Sequence, residues 1–260
     1  MSHYVPVELT GRIGGGLFVS PRVVRRDRAD GVVFLESSVR LGAYPVSTVE
    51  WLRLWAGVDP DVVLVAERGV DGLWWRRTYG EMLVAANAIG QALLDRGLSG
   101  DRPLLVLSGN SVGHLEMVLG AMTVGVPVVP VSVAYSLQSR DHARVRAIGE
   151  LVAPGAVYVE DAVAFGAAVS SLDGEPIVLS AVGGPVEHSL ATLKATRPGP
   201  AVDVALAGVS SDTVAKILFT SGSTGSPKGV VTTHGMLCAN QRMMRQVWPF
   251  LGEERPVLVD

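Results

Sequence analysis

The sequence has few cysteines and no surplus of positive charge. It contains one cysteine, Cys238, among 260 residues, which excludes an internal disulfide and any metal site built from paired cysteines. The formal net charge is −3, so the chain lacks the basic surface that neutralises nucleic-acid phosphates. We therefore expect no nucleic-acid partner and a reducing compartment, by default the cytoplasm.

The sequence also lacks the patterns of a secretory signal and of a membrane span. Its first residues do not combine a charged start with an apolar run, so we expect them to belong to the mature chain. The uncharged stretch 117–139 is long enough for a membrane helix, but Gly125, Pro127 and Pro130 interrupt it. We expect a helix ending near Val124, then a buried strand, and no membrane span.

Hydrophobic residues make up 48% of the chain and charged residues 18%, which predicts a globular protein with some apolar surface that requires a partner. Ser47 and Thr78 each precede a glutamate by three residues, the spacing of a capping box at a helix start. We expect the two helices to end at Gly57 and Gly97, with two strands, VVLVAER and LWWRRTY, between them. The second helix has apolar residues at helical spacing, namely Met82, Ala86, Ile89 and Leu93.

From Pro103 onward, short apolar runs alternate with helical patterns. The runs are PLLVLS, VPVVPVSV, AVYVED and PIVLS, with helical segments between them. This alternation predicts an α/β fold with a doubly wound, mostly parallel sheet flanked by helices. Residues 181–213 are rich in glycine and proline, so we expect an irregular connector there and a possible subdomain boundary.

The segment TSGSTGSPKG, residues 220–229, follows one apolar strand and precedes a second, β-branched strand. Glycines let backbone amides turn toward a ligand, hydroxyls add donors, and Lys228 adds a positive charge, so the loop is suited to hold phosphate. A flexible glycine-serine hairpin tip is the alternative. The segment is not the P-loop of NTPases, because Gly229 and a strand follow the lysine.

The string TSGSTGSPKGV resembles the phosphate-binding signature of the adenylate-forming superfamily, and LGAMTVGVPVVPVSVAYSL, residues 119–137, resembles the element that precedes it. Two longer segments, starting at Leu41 and at Ser108, are similar to feruloyl-CoA synthetases. The resemblance implies an acid:CoA ligase that uses ATP, Mg²⁺ and CoA. It implies a carboxylic acid substrate, with an aryl acid such as ferulate favoured.

The resemblance also assigns site residues. Lys228 would neutralise the β- and γ-phosphates of ATP. His234 would lie near the acyl or nucleotide site, or would instead be an exposed polar residue at a helix start. The residues that would wrap the phosphates are Thr220, Ser221, Gly222, Ser223, Thr224 and Gly225.

Relatives in the superfamily continue well past the final segment, PVLVD. The resemblance therefore implies that residues 1–260 are the incomplete N-terminal part of an adenylate-forming large domain. On this expectation the rest of that domain and a small mobile domain with the catalytic lysine are absent, and activity of the chain alone is in doubt.

Other functions remain open at this point. Residues 109–113 match the G-x-S-x-G motif of α/β-hydrolases, with Ser111 as nucleophile. Asp141 or Glu160 and then His188 or His234 would complete the triad, although Asn110 or Ser111 capping the next helix is simpler. A nucleotide-binding remnant without catalysis and a peptide-synthetase-type adenylation domain are further alternatives. The lone histidines His114 and His142 are predicted to be packing or surface residues.

Overall fold

A computed structural model of the chain describes residues 5–7, 18–69, 71–221 and 227–253. Contacts divide the chain into two compact units. One comprises residues 1–44 and 238–260, and the other comprises residues 45–237. All of the predicted parallel sheet falls in the second unit.

The first unit contains a three-stranded antiparallel sheet in the order β1-β2-β3. Its strands are β1 (Val5–Val7), β2 (Val23–Asp27) and β3 (Val33–Ser37).

The second unit opens with a helix, a hairpin and a long helix: α1 (Thr48–Val58), β4 (Val63–Arg68), β5 (Trp74–Thr78) and α2 (Tyr79–Asp95). Both predicted helix starts are confirmed, with Ser47 and Thr78 as N-caps. Thr78 forms the full capping box, but the Ser47 side chain makes no capping hydrogen bond, so the predicted box there is wrong. Gly57 also lies inside α1 and does not end it, whereas Gly97 has a φ of +72° and follows α2 as predicted.

Strands and helices then alternate as predicted. The elements are β6 (Leu104–Leu107), α3 (Val112–Thr123), β7 (Val128–Pro130), α4 (Ala143–Val152), β8 (Ala156–Asp161), α5 (Gly166–Val169) and β9 (Ile177–Val182). A π-helical turn at Ala134–Gln138 lies between β7 and α4. The apolar stretch 117–139 is therefore broken into α3 and β7. No helix in the described part of the chain is long and apolar enough to cross a membrane.

The segment 181–213 differs from the predicted irregular connector, because it contains two helices, α6 (Leu190–Ala195) and α7 (Pro200–Ala207). Ser189 caps α6 by accepting a hydrogen bond from the backbone of Thr192, and Pro200 occupies the first position of α7, where proline is favoured. Gly199 and Pro200 thus mark a helix start, and Gly208 marks the end of the same helix.

The last elements are a two-stranded ribbon and two helices: β10 (Val214–Ser221), β11 (Pro227–Thr233), α8 (His234–Val247) and α9 (Phe250–Glu253). Helix α8 begins in the second unit and continues into the first.

The six-stranded sheet has the order β11-β10-β7-β6-β8-β9, and every pair is parallel except β10 with β11. Successive residues of β6 point into different cores. Leu104 and Val106 pack with α2, α3, α6 and α7, while Leu105 and Leu107 pack with α4 and α5. The sheet is therefore covered on both faces, as the apolar strands predicted, and the α/β class is confirmed.

Candidate functional site

The carboxyl ends of β6, β7, β8 and β10 lie at one edge of the sheet, because these strands run parallel. Open α/β sheets bind their ligands at this edge. Strand β10 ends there at Ser221, where the predicted phosphate loop begins. The sheet topology thus places this loop where a ligand is expected.

The β10–β11 ribbon carries the two ends of the predicted loop. Thr220 is paired in register with Lys228, and both are exposed. Ser221 is the last residue of β10, paired with Pro227. Gly222, Ser223, Thr224 and Gly225 lie outside the described residues. The structure therefore brings Thr220, Ser221 and Lys228 together at the tip of the ribbon.

His234 lies at the other end of the ribbon. Six residues of extended chain separate it from Lys228, or about 20 Å. His234 begins α8 as predicted, but it is fully buried, so it is not the exposed helix-start residue of the alternative. Its backbone N–H donates to the carbonyl of Thr213 (3.0 Å), and its Nδ1 lies 3.5 Å from Oγ1 of Thr48. The structure does not bring His234 together with the phosphate-loop residues.

Burial determines the ionisation of His234. It lowers the pKa of the imidazole to about 4, because a buried charged ring would lose its hydration. The imidazole of His234 is therefore neutral at pH 7, and its place near the acyl or nucleotide site stays a prediction.

The G-x-S-x-G segment, residues 109–113, caps a helix instead of forming a nucleophile elbow. Oγ of Ser111 accepts a hydrogen bond from the backbone N–H of His114 (3.0 Å) and caps α3, as the simpler alternative predicted. Glu160 accepts from the backbone N–H of Gly109 (3.4 Å), and Asp141 accepts from the backbone N–H of Ala143. Within the described ranges, none of the candidate acids or histidines is hydrogen-bonded to the Ser111 side chain. The arrangement does not form a Ser111 triad.

The serine that does pair with a histidine is Ser108, just past the end of β6. Its Oγ lies 2.8 Å from Nδ1 of His114 in the first turn of α3. The pKa of His114 is lowered by burial and by the nearby positive charge of Lys216. Sequence patterns did not indicate this group, since its members come from three separate elements. His114, predicted to be a packing or surface residue, is part of a polar cluster that we call the Ser108–His114–Lys216 cluster.

A second feature that sequence patterns missed is a buried ion network on α3. The carboxylate of Glu116 is almost fully buried and accepts from Nε of Arg77 (3.0 Å) and Nζ of Lys194 (2.9 Å). The network links β5, α3 and α6. Because Lys194 is paired with Glu116, its ammonium group balances a buried carboxylate.

The described part of the chain contains no cluster of three or more His, Cys, Asp or Glu side chains that could hold a metal ion. The ribbon tip does fit a polyphosphate, because it presents a hydroxyl and an ammonium group on adjacent strands.

Comparisons with known proteins identify the family and the fold. The family model described as AMP-binding enzyme matches residues 52–259. The chain is 26% identical over 211 residues to the D-alanine--D-alanyl carrier protein ligase of Streptococcus equi, covering 81% of this chain and 36% of that protein. It is 29% identical over 161 residues to surfactin synthase subunit 1 of Bacillus subtilis, covering 62% of this chain and 4% of that protein.

The fold also matches solved structures. The fatty acyl-adenylate ligase from L. pneumophila, solved with acyl adenylate and pyrophosphate, superposes with a TM-score of 0.59 at 20% identity over 76% of this chain and 32% of that one. The chain thus spans about a third or less of the length of these relatives. Since the family match covers most of the sequence, the chain belongs to the AMP-binding enzyme family.

Proposed function

We propose that this chain contributes the ATP-phosphate site of an enzyme that activates a carboxylic acid as an acyl adenylate. The observation that carries the proposal is the register of the ribbon, which sets Thr220 opposite Lys228 at the carboxyl edge of the parallel sheet. Family membership and the fold of the acyl-adenylate ligase support it.

In the proposed reaction, a carboxylate oxygen of the acid attacks the α-phosphorus of ATP, and pyrophosphate leaves with its bonding electrons. Negative charge grows on the leaving group. Lys228 opposes that charge, and the hydroxyl of Thr220 donates a hydrogen bond to it. By the resemblance, residues 221–225 would add further hydrogen-bond donors, and bound Mg²⁺ would supply further neutralisation of the phosphates. His234 is not part of this proposal, because it lies at the opposite end of the ribbon.

For the second step, we propose that the thiol sulfur of CoA attacks the acyl carbon of the adenylate, with loss of the thiol proton and departure of AMP. An aryl acid such as ferulate is the favoured substrate. The resemblance to feruloyl-CoA synthetases supports both choices. Three exposed arginines, Arg140, Arg144 and Arg146, also follow the carboxyl end of β7, and the guanidinium of Arg144 stacks on Tyr135 with 4.7 Å from its carbon to the ring centroid. An arginine group of this kind suits the phosphates of CoA.

Transfer to a carrier protein is the second candidate. The relatives that include a carrier protein ligase and surfactin synthase support it equally at the level of sequence. Its thiol would sit on a protein-bound arm without the nucleotide phosphates of free CoA. Arg144→Ala therefore separates the two, because it should weaken transfer to CoA by about tenfold and leave transfer to a carrier unchanged.

The first experiment is acid-dependent exchange of labelled pyrophosphate into ATP, with ferulate, other aryl acids and fatty acids. It compares the purified chain with a version extended past Asp260 by sequence from another member of the AMP-binding enzyme family. We expect acid-dependent exchange in the extended protein, and loss of that exchange in its Lys228→Ala variant. Absence of exchange in both proteins would instead favour a nucleotide-binding remnant.

A further inference from the structure

The sequence contains only three lysines among 22 basic residues, and they have three different environments. Lys194 is paired with Glu116, and Lys228 is exposed at the ribbon tip. Lys216 is half-buried in β10, and the described residues give it no hydrogen bond and no carboxylate within ion-pair distance. Burial lowers the pKa of Lys216. A partly desolvated ammonium group gains from a hydrogen-bond acceptor, so Lys216 is suited to bind an oxygen of a ligand.

The strand pattern determines which way Lys216 points. Ile217 and Phe219 pack into the core formed with α4 and α5. Side chains alternate along a strand, so Lys216, Leu218 and Thr220 lie on the other face, the face of α3. The effect of Lys216 on the pKa of His114, which belongs to α3, agrees with this direction. Lys216 therefore shares one face of the strand with the start of the phosphate site.

The surface between the two ends is apolar and open. Leu218 is 41% exposed and is paired in register with Val230, which is 49% exposed. Thr220 lies two positions after Leu218 along β10. It is four positions from Lys216, so the two Cα atoms are about 13 Å apart. The face thus presents a phosphate-facing end, an apolar middle and a cationic end.

We propose that the strip formed by Lys216, Leu218, Thr220 and Val230 is part of the acid-binding surface. Lys216 recognises an oxygen at the far end of the acid, opposite its carboxylate. The proposal rests on the proposed function, because that function places the carboxylate beside the phosphates at Thr220. The acid's apolar skeleton lies along Leu218 and Val230. Its terminal oxygen then accepts a hydrogen bond from the ammonium group of Lys216.

The strip selects a substrate class. An aryl acid with a ring hydroxyl places an acceptor where Lys216 needs one, and its short rigid skeleton is comparable in length to the strip. An unsubstituted aryl acid leaves the lysine without a partner, and a fatty acid brings a methylene chain against it. Sites built to hydrogen-bond a substrate oxygen discriminate strongly against analogues that lack it. The Ser108–His114 pair supplies no anion for Lys216, because burial first and the charge of Lys216 second lower the pKa of the His114 imidazole.

Calorimetric titration of the purified chain with para-hydroxycinnamate and with cinnamate, in the presence of MgATP, tests the proposal. We expect the wild-type chain to bind the hydroxylated acid at least about tenfold more tightly. Lys216→Met keeps the length of the side chain but removes the charge, and the ratio should fall to within about twofold by loss of affinity for the hydroxylated acid alone. Lys216→Arg retains a cationic donor and should retain most of the ratio. Thermal unfolding of both variants verifies that they fold.

An unchanged ratio in Lys216→Met would overturn the proposal, as would equal binding of the two acids by the wild-type chain. Both results would leave the proposed function standing if MgATP binds and Lys228→Ala weakens that binding. Binding of neither acid would also overturn the role of Lys216. Failure of MgATP to bind would count against the proposed function itself.

Discussion

The two ends of the β10–β11 ribbon are built from similar polar residues but have opposite surroundings. At the tip, Thr220 and Lys228 are exposed and paired in register. At the base, His234 is fully buried and is hydrogen-bonded through its backbone to Thr213. The side chains at the tip are accessible to a ligand, whereas the imidazole at the base is enclosed by protein.

The difference shows that a residue close in sequence to the phosphate loop need not lie close to that loop in the fold. Lys228 and His234 are six positions apart and lie about 20 Å from each other. Burial separates their functions, since a buried neutral imidazole stabilises the fold, whereas an exposed ammonium group is available to phosphate. The comparison predicts that variants at the base change stability and that variants at the tip change nucleotide binding.

The largest effect is expected at the base. His234→Ala removes a fully buried ring and leaves a cavity beside Thr48. We expect the free energy of unfolding to fall by about 2 to 4 kcal/mol, measured by chemical denaturation. Lys228→Ala is the matched control and should change it by less than about 0.5 kcal/mol. Equal losses in the two variants would remove the distinction between base and tip.

Acid pH should lower the free energy of unfolding through His234, at the base of the ribbon. The folded-state pKa of His234 is about 4, below its ordinary value of 6.5. The neutral ring therefore contributes stability that is present above pH 6.5 and is lost as pH falls toward 4. Relative to His234→Gln, which does not titrate, the wild-type chain should lose about 2 to 3 kcal/mol between pH 7 and pH 4.5. Parallel stability curves for the two proteins would contradict the assignment of a neutral buried imidazole.

Two glycines provide a smaller test of the same contrast. A Cβ on Gly235, at the base, would lie 2.9 Å from the backbone oxygen of Ser211, which cannot move cheaply. A Cβ on Gly229, nearer the tip, would meet the side chains of Ile217 and Phe219 at 3.1 and 3.3 Å, and these can shift. We expect Gly235→Ala to cost about 1 to 3 kcal/mol of unfolding free energy and Gly229→Ala less than about 1 kcal/mol. The reverse order in denaturation experiments would show that the base is the more adaptable end.

Much of the fold could be predicted because local patterns agreed with the final packing. Met82, Ala86, Ile89 and Leu93 are all fully buried, and the alternating strands and helices after Pro103 form the expected parallel sheet. The capping box predicted at Ser47 failed because it depended on a side-chain hydrogen bond, which residue spacing alone does not determine. Ser47 has the residue spacing of a capping box, but its side chain makes no capping hydrogen bond.

The site was harder to predict than the fold. The string of residues 220–229 indicates a phosphate loop, and the structure brings its two described ends together. The burial of His234 and the grouping of Ser108, His114 and Lys216 depend on contacts between distant segments. The same is true of Glu116 with Arg77 and Lys194. A single sequence gives no local sign of such long-range contacts.

The most direct test of the central claim is calorimetric titration of MgATP into the wild-type chain, Lys228→Ala and His234→Gln at pH 7.5. If the ribbon tip holds the phosphates, Lys228→Ala should weaken MgATP binding by about tenfold or more, while folded His234→Gln should bind with the wild-type affinity. An unchanged affinity in Lys228→Ala, or a comparable loss in His234→Gln, would contradict the assignment of the phosphate site to the tip.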